Sequence, residues 1–175
     1  MSNIKTPQEI AAIKASAKIL SKTLELLESK VTVGVTPLQL DTIAEETIRS
    51  FGAEPAFKGF HGFPNTLCTS VNATVVHGIP NNKPLKEGDI ITIDCGVLFE
   101  GMYSDSALTV GVGKLDNKTQ EFIEYNKQTL YKAIQMIKPG VYTGDLGHFI
   151  EERTKEADYH IFHDLIGHGI GKTLH

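Results

Sequence analysis

Asp94 and Asp105 carry the clearest chemical signal in this sequence. Asp94 lies in Gly88-Asp89-Ile90-Ile91-Thr92-Ile93-Asp94-Cys95-Gly96-Val97-Leu98-Phe99, and Asp105 in Gly101-Met102-Tyr103-Ser104-Asp105-Ser106. Both runs read as strands, and a turn at Glu100-Gly101 joins them into a hairpin with Phe99 opposite Met102. That pairing sets Gly96 against Asp105 and Ala107 against Asp94. Side chains alternate along a strand, so Asp94, Gly96 and Asp105 share one face, with the two carboxylates as diagonal neighbours. Carboxylates this close on apolar strands repel unless one is protonated or a cation lies between them. A site rich in oxygen ligands suits Mn, Fe, Co, Zn or Mg. The spacing is also met if Asp105 caps a turn after Ser104 and Asp94 sits exposed at a strand edge, and both readings stand at this point.

Seven histidines could complete such a site: His61, His77, His148, His160, His163, His168 and His175. His148 falls in a helical stretch, and His160 and His163 fall in a polar one, so surface roles are expected for these three. His77 follows Thr74-Val75-Val76 and precedes Gly78-Ile79-Pro80, where a strand should meet a turn. His168 stands between Gly167 and Gly169, which lets backbone approach whatever the imidazole holds. Neutral imidazole beside carboxylate is ordinary ligation for a divalent metal. Any one of these histidines, taken alone, reads first as a hydrogen-bonded core or surface residue.

Gly167-His168-Gly169-Ile170-Gly171-Lys172-Thr173 imitates a phosphate-binding loop. The pattern requires glycine where Ile166 stands, and such a loop normally follows the first strand of a parallel sheet. Nucleotide binding is therefore not expected.

The elements that must position these residues follow from periodicity. Ile10, Ile13, Ala17, Leu20, Leu24 and Leu27 recur at helical spacing from Thr6 to Leu27, behind a Thr6-Pro7-Gln8-Glu9 start. Thr36-Pro37 opens a second helix, with Leu38, Leu40, Ile43, Ala44 and Ile48, which ends near Gly52. Strands are expected at Thr69–Val76, Asp89–Phe99 and Tyr103–Val112. Helical spacing returns with Phe122, Leu130, Ala133, Ile134 and Ile137 and stops at Pro139-Gly140, and a fourth helix spans roughly Asp145 to Ala157.

Composition excludes several classes. With 41% hydrophobic and 22% charged residues the chain is neither disordered nor of low complexity. A net charge of −4 leaves no basic footprint for nucleic acid, and no DNA partner is expected. No apolar run is long enough to span a membrane, and the opening Met1–Ile10 does not read as a signal peptide. Two cysteines, Cys68 and Cys95, are too few for a disulfide scaffold and point to a reducing, cytoplasmic setting.

The order helix, helix, strands, helix, helix repeats, and residues repeat with it. At an offset of 106, Thr23-Leu24 falls on Thr129-Leu130, Val31 on Ile137, Gly34-Val35 on Gly140-Val141, Leu40 on Leu146, Ile43 on Phe149 and Glu45-Glu46 on Glu151-Glu152. One offset held through two helices and their break argues for an internal duplication. The chain then reads as one catalytic domain over 1–175, with a first half at about 1–113 and an incomplete second half at about 116–175.

Together the residues resemble a type I methionine aminopeptidase. The matching segments are His61-Gly62-Phe63-Pro64, Cys68-Thr69-Ser70-Val71-Asn72, Val76-His77-Gly78-Ile79-Pro80 and Ile93-Asp94-Cys95-Gly96. They continue with Gly101-Met102-Tyr103-Ser104-Asp105-Ser106 and Gly167-His168-Gly169-Ile170-Gly171. Prolidases and Xaa-Pro aminopeptidases share the fold, but the Cys-Thr-Ser-Val-Asn and His-Gly-Ile-Pro segments favour the methionine branch.

The resemblance implies an α+β pita-bread fold, in which two pseudo-twofold-related halves enclose two divalent ions (Co, Mn, Fe or Zn). It implies metal ligation by Asp94, Asp105 and His168, with Asp105 bridging. His77 would contact substrate near the scissile amide, and His175 would stabilise the developing oxyanion. Phe60, Phe63, Cys68 and Leu174 would form the methionine pocket. The implied activity is removal of N-terminal methionine from nascent proteins, with the ribosome as a family partner. The family completes its site with two glutamates beyond the residue matching His175. From this comes the expectation that the chain alone is truncated in its second half, binds metal weakly or at a single site, and is inactive or nearly so. The alternative is a catalytically dead pita-bread module that binds peptide or protein. A monomer is expected, with a swapped dimer as the other arrangement.

Overall fold

A computed structural model describes residues 4–175. By its contacts the chain divides into two units: residues up to Leu115 together with His168–His175, and Asp116–Gly167.

The first unit opens with α1 (Pro7–Lys30) and α2 (Pro37–Ser50). Both begin with proline at the first helical position behind a threonine cap, as the local sequence dictates. In α1 the Thr6 amide donates to Glu9 Oε2 at 2.8 Å, and the Glu9 amide returns a bond to Thr6 Oγ1 at 3.2 Å. In α2 Thr36 and Gln39 make the same reciprocal pair at 2.9 and 3.2 Å. Thr36→Ala is expected to destabilise the chain by about 1 kcal/mol. An unchanged denaturation midpoint would show that the cap contributes nothing.

After the two-residue strand β1 (Glu54–Pro55) and a single 3-10 turn at Phe60–Gly62 come β2 (Leu67–Val71), β3 (Ile90–Phe99) and β4 (Met102–Gly111). All pairings are antiparallel. β3 lies at the centre, with β1 and β2 against one edge and β4 along the other. The hairpin has the anticipated register: Phe99 pairs with Met102, Gly96 with Asp105 and Asp94 with Ala107. Glu100 and Gly101 carry φ of 50° and 73°, the two positive values that a tight two-residue turn of the primed type demands.

The second strand departs from expectation. Thr69–Val76 was expected, but β2 covers Leu67–Val71 and Thr74-Val75-Val76 is not a strand. Asn72 ends it by turning left-handed, with φ of 52°. Its side chain donates to Asp89 Oδ1 at 2.8 Å and accepts from the Ile90 amide at 3.0 Å, pinning the exit of β2 to the entry of β3. Val75 and Val76 are left exposed. The β propensity of two valines yields to this local closure. His77 therefore lies in an irregular loop rather than at a strand end, and its own φ is 56°.

The core explains which face the chemistry occupies. Ile91, Ile93, Cys95 and Val97 of β3 are fully buried and pack with Leu20, Leu24 and Leu27 of α1 and Leu40, Ala44 and Ile48 of α2. Alternation then sends Asp94 and Gly96 to the face away from the helices. Ser16 of α1 donates to the Val97 carbonyl at 3.0 Å and lies 2.8 Å from the Ser104 hydroxyl, so these two buried hydroxyls are paired beneath the sheet.

The second unit holds α3 (Asn117–Gln135) and α4 (Thr143–Glu156). Asp116 caps α3 by accepting from the Thr119 amide at 2.9 Å. Tyr159 meets Phe122 and Tyr125 edge-on, and Arg153 lies over the Tyr125 ring at 4.5 Å. At the offset of 106, α4 coincides with α2 residue for residue, and α3 falls within the shifted span of α1. The duplication found in the sequence thus recurs in the helix boundaries. His148, His160 and His163 are exposed. The element preceding Gly167–Thr173 is α4, not a strand, which removes the context a phosphate loop requires.

Candidate functional site

A cleft of about 540 Å³ opens on the sheet face away from the helices. Its wall includes Phe60, Phe63, Cys68, His77, Asp94, Asp105, His168, Leu174 and His175, all of them singled out in the sequence. The wall also includes Phe57, Ile79 and His61. Phe57 carried no motif signal; what places it is Gly96, where a Cβ would fall 2.6 Å from Phe57 Cε1 and 2.8 Å from Ala56 Cβ. The glycine that separates Asp94 from the next turn of the pleat is thus the space into which the phenylalanine ring packs.

Four pieces of chain converge here. β3 and β4 supply Asp94 and Asp105 as diagonal neighbours. The 3-10 turn and the chain after it supply Phe60, His61 and Phe63, with Phe60 edge-on to His61 at 4.3 Å between ring centres. β2 supplies Cys68, opposite Asp94 in register, and its loop supplies His77.

The last piece is the segment His168–His175. The Tyr103 amide donates to the Gly171 carbonyl at 2.8 Å, which extends the free edge of β4, and Lys172 pairs with Glu9 at 2.7 Å. Leu174 is buried in a small apolar cluster with Ala56, Phe57 and Cys68, flanked by Phe63 and Tyr103. This anchoring presents both imidazoles to the cleft. The His168 and His175 rings stand 4.3 Å apart, and Phe60 lies 5.5 Å from His175. His168 Nε2 stands 3.6 Å from Asp105 Oδ2. Left-handed backbone at His61 (φ 46°) and His77 (φ 56°) concentrates strain around the cleft, a frequent property of functional sites.

The electrostatics bear on whether these groups suit a cation. Burial, the Asp105 charge and a hydrogen bond shared with Asp105 push the Asp94 carboxyl up to about 7, while His168 opposes the rise. Burial first, then Asp94 and Asp105, push the Cys68 thiol up to about 12, so it stays protonated and serves as an apolar wall. Two half-buried carboxyl groups this close, one of them held back from ionising by the other, would accept a divalent cation between them. The donor set, two carboxylates with an imidazole beside one of them, fits that role. Even so, no three His, Cys, Asp or Glu side chains stand at metal-holding distances among the described residues.

A pH dependence follows. The folded chain retains on Asp94 a proton that the unfolded chain releases near the ordinary 3.8. That contribution is whole below pH 4 and is lost as pH rises to about 7. Measured without metal, Asp94→Asn is expected to gain stability relative to the parent chain across this window. Parallel melting curves of the two proteins from pH 4 to 7 would contradict it.

Comparison with known proteins agrees with this geometry. The sequence model of metallopeptidase family M24 matches residues 11–175. A methionine aminopeptidase of Clostridium perfringens is 40% identical over 172 residues, covering 98% of this chain and 69% of the relative. One from Helicobacter pylori is 41% identical over 173 residues, covering 99% and 68%. Among solved structures, the methionine aminopeptidase of Thermotoga maritima superposes with a TM-score of 0.97 at 38% identity, covering all of this chain and 71% of that one. The prolidase of Pyrococcus horikoshii follows with a TM-score of 0.85 at 26% identity, covering 98% and 48%. The chain belongs to metallopeptidase family M24, and its fold is the pita-bread fold of the methionine aminopeptidases.

Proposed function

We propose that the cleft on this sheet face receives the first residue of a peptide with a free N-terminal methionine, and that its residues divide the work of hydrolysing the following bond. The observation that carries the reading is the polarity of one cleft: Asp94, Asp105 and His168 line it together with Phe60, Phe63, Cys68 and Leu174. Divalent ions held by Asp94, Asp105 and His168 would supply Lewis acidity and an acidified water. Phe60, Phe63, Cys68 and Leu174 take an unbranched, sulfur-containing side chain, for which an apolar and polarisable wall is suited. His77 donates near the scissile amide, and His175, lying between Phe60 and His168 with its ring tilted to both, donates to the oxyanion that develops on the carbonyl.

Residues 1–175 provide three protein ligands, too few to saturate two ions, so the 175-residue polypeptide by itself is read as a weak metal binder with little or no activity. Mn, Co, Fe and Zn are the candidate ions. Nascent chains in the cytosol, at the ribosome, are the substrate source that the family likeness supports, and a monomer is the working form. Among the described residues no helix is long and apolar enough to cross a membrane.

A second reading, a peptide-binding module without catalysis, has in its favour that Asp94, Asp105 and His168 do not stand at metal-holding distances from one another among the described residues. Methionine release from a Met-Ala-Ser peptide in Mn or Co buffer decides between them. It is measured on this polypeptide and on a version extended by the segment of the relatives that lies beyond the match. Release by the extended version alone supports the proposal. Tight two-ion binding by the short form overturns the weak-binding part, and no release by either form favours the module.

A further inference from the structure

Asp41 is a buried carboxylate that does not line the cleft. It sits in the second turn of α2, is only 5% exposed, and pairs with no cation among the described residues. Removing such a charge from water costs several kcal/mol unless strong hydrogen bonds replace the lost hydration. Asp41 has three. Oδ1 accepts from the Thr66 amide at 2.9 Å and from the Leu67 amide at 2.8 Å, and Oδ2 accepts from Asn65 Nδ2 at 2.8 Å. All three donors lie on the short connection between Phe63-Pro64, which line the cleft, and Cys68, which lines it as well.

This connection has few other means of keeping its shape. Leu67 is the first residue of β2, pairing with Cys95, and before it the chain is irregular back to the 3-10 turn. The Gly59 amide donates to the Phe63 carbonyl at 2.8 Å and closes the upstream side. Between those two points the main chain turns from the pocket wall into the sheet, and at that turn two successive amides aim at one oxygen. Charge-assisted bonds of this kind are about twice as strong as neutral ones.

We propose that Asp41 is a positioning residue for the side-chain pocket. From the opposite, helical side of the sheet it sets where the Phe63–Cys68 wall stands, and so the width of the cleft at its apolar end. It touches neither substrate nor the acidic pair, and acts through Asn65, Thr66 and Leu67. The inference rests on the reading that this end of the cleft takes the methionine side chain.

The chain contains its own reporters: its two cysteines are Cys68 in the wall and Cys95 in the core, both unpaired, the latter fully buried. Pulsed alkylation with iodoacetamide, read by mass spectrometry as the ratio of Cys68 to Cys95 modification, follows the wall against the core. The Asp41 charge raises both thiols, so its loss moves them in the same direction.

Asp41→Ala and Asp41→Leu are expected to raise the ratio at least tenfold. Asp41→Asn, which keeps an oxygen for the two amides and lets the Asn65 amide turn to meet it, is expected to restore it to within about twofold. Asn65→Ala, at a half-buried position and removing only one bond, gives an intermediate rise and serves if the Asp41 variants do not fold. Equal opening of Cys68 and Cys95, or a Leu variant that matches the parent, would overturn the proposal in favour of a purely global or volume effect. Protection of Cys68 by methioninamide in the parent chain tests the pocket reading separately. If protection is absent while the variants behave as stated, the pocket assignment fails and the positioning role of Asp41 stands.

Discussion

Asp105→Asn is expected to remove detectable divalent-metal binding from this chain. The substitution preserves volume and the strand register but replaces the carboxylate that faces both Asp94 and His168. Mn broadening of nearby amide signals is the sensitive measurement, because it registers even weak occupancy. In the parent chain the Gly96 and Ala107 amides, opposite the two aspartates in register, should broaden as Mn is added. In the variant they should not, corresponding to more than a tenfold loss of affinity at about 1.4 kcal/mol per tenfold. The same substitution relieves Asp94 of its charged neighbour, so the Asp94 carboxyl should ionise at lower pH than in the parent. Broadening that persists unchanged in Asp105→Asn would remove the acidic pair from the metal site.

Gly78→Ala should cause a large structural effect, because a Cβ here meets its neighbours more closely than at any other described glycine. A Cβ at this position would fall 2.1 Å from the Thr69 carbonyl oxygen and 2.9 Å from its carbon. Both are main-chain atoms of a paired strand and have nowhere to go. The methyl must break the bond from the Thr69 amide to the Gly78 carbonyl, now 2.7 Å, and the weaker one from the Gly78 amide to Ser70 Oγ at 3.3 Å. The loop then lifts from β2 and takes His77 with it. A loss of about 1–3 kcal/mol is expected from overpacking, read by chemical denaturation, together with a shifted His77 ring signal. A variant with unchanged stability and an unmoved His77 signal would show that the loop does not depend on this contact.

Much of this arrangement could be read in the residues. The helices announce themselves through capping boxes and apolar spacing, because those signals are local. The hairpin register was readable because Glu100-Gly101 leaves one tight turn open to the chain, and that turn alone determines that Asp94 and Asp105 share a face. Asn72 was harder. Its role depends on Asp89 and Ile90, which come near only once β2 and β3 have paired, so the valines that follow it suggested a strand that does not form. Phe57 escaped for a similar reason: its place in the cleft is granted by the missing side chain of Gly96 on another strand. The buried role of Asp41 was invisible as well, since an aspartate in an amphipathic helix is ordinarily a solvated one. The nine cleft residues named from the family likeness do gather around one space, although no composition or periodicity argument could have assembled residues from four separate pieces of chain.

The segment His168–His175 packs with the unit that ends at Leu115, and the whole of Asp116–Gly167 is spliced between them. Topologically, the helical pair is an insertion into a closed ring, fastened where Gly171 meets the edge of β4. For flexible chain, the entropy of closing such a ring grows only with the logarithm of its length, at about 0.6 kcal/mol per doubling. The flexible connections within the inserted portion can therefore lengthen or shorten at slight cost, provided that the fastening holds. Lineages that vary the helices should keep the cleft, whereas those that weaken the Gly171 or Leu174 anchors should lose His168 and His175 from it together.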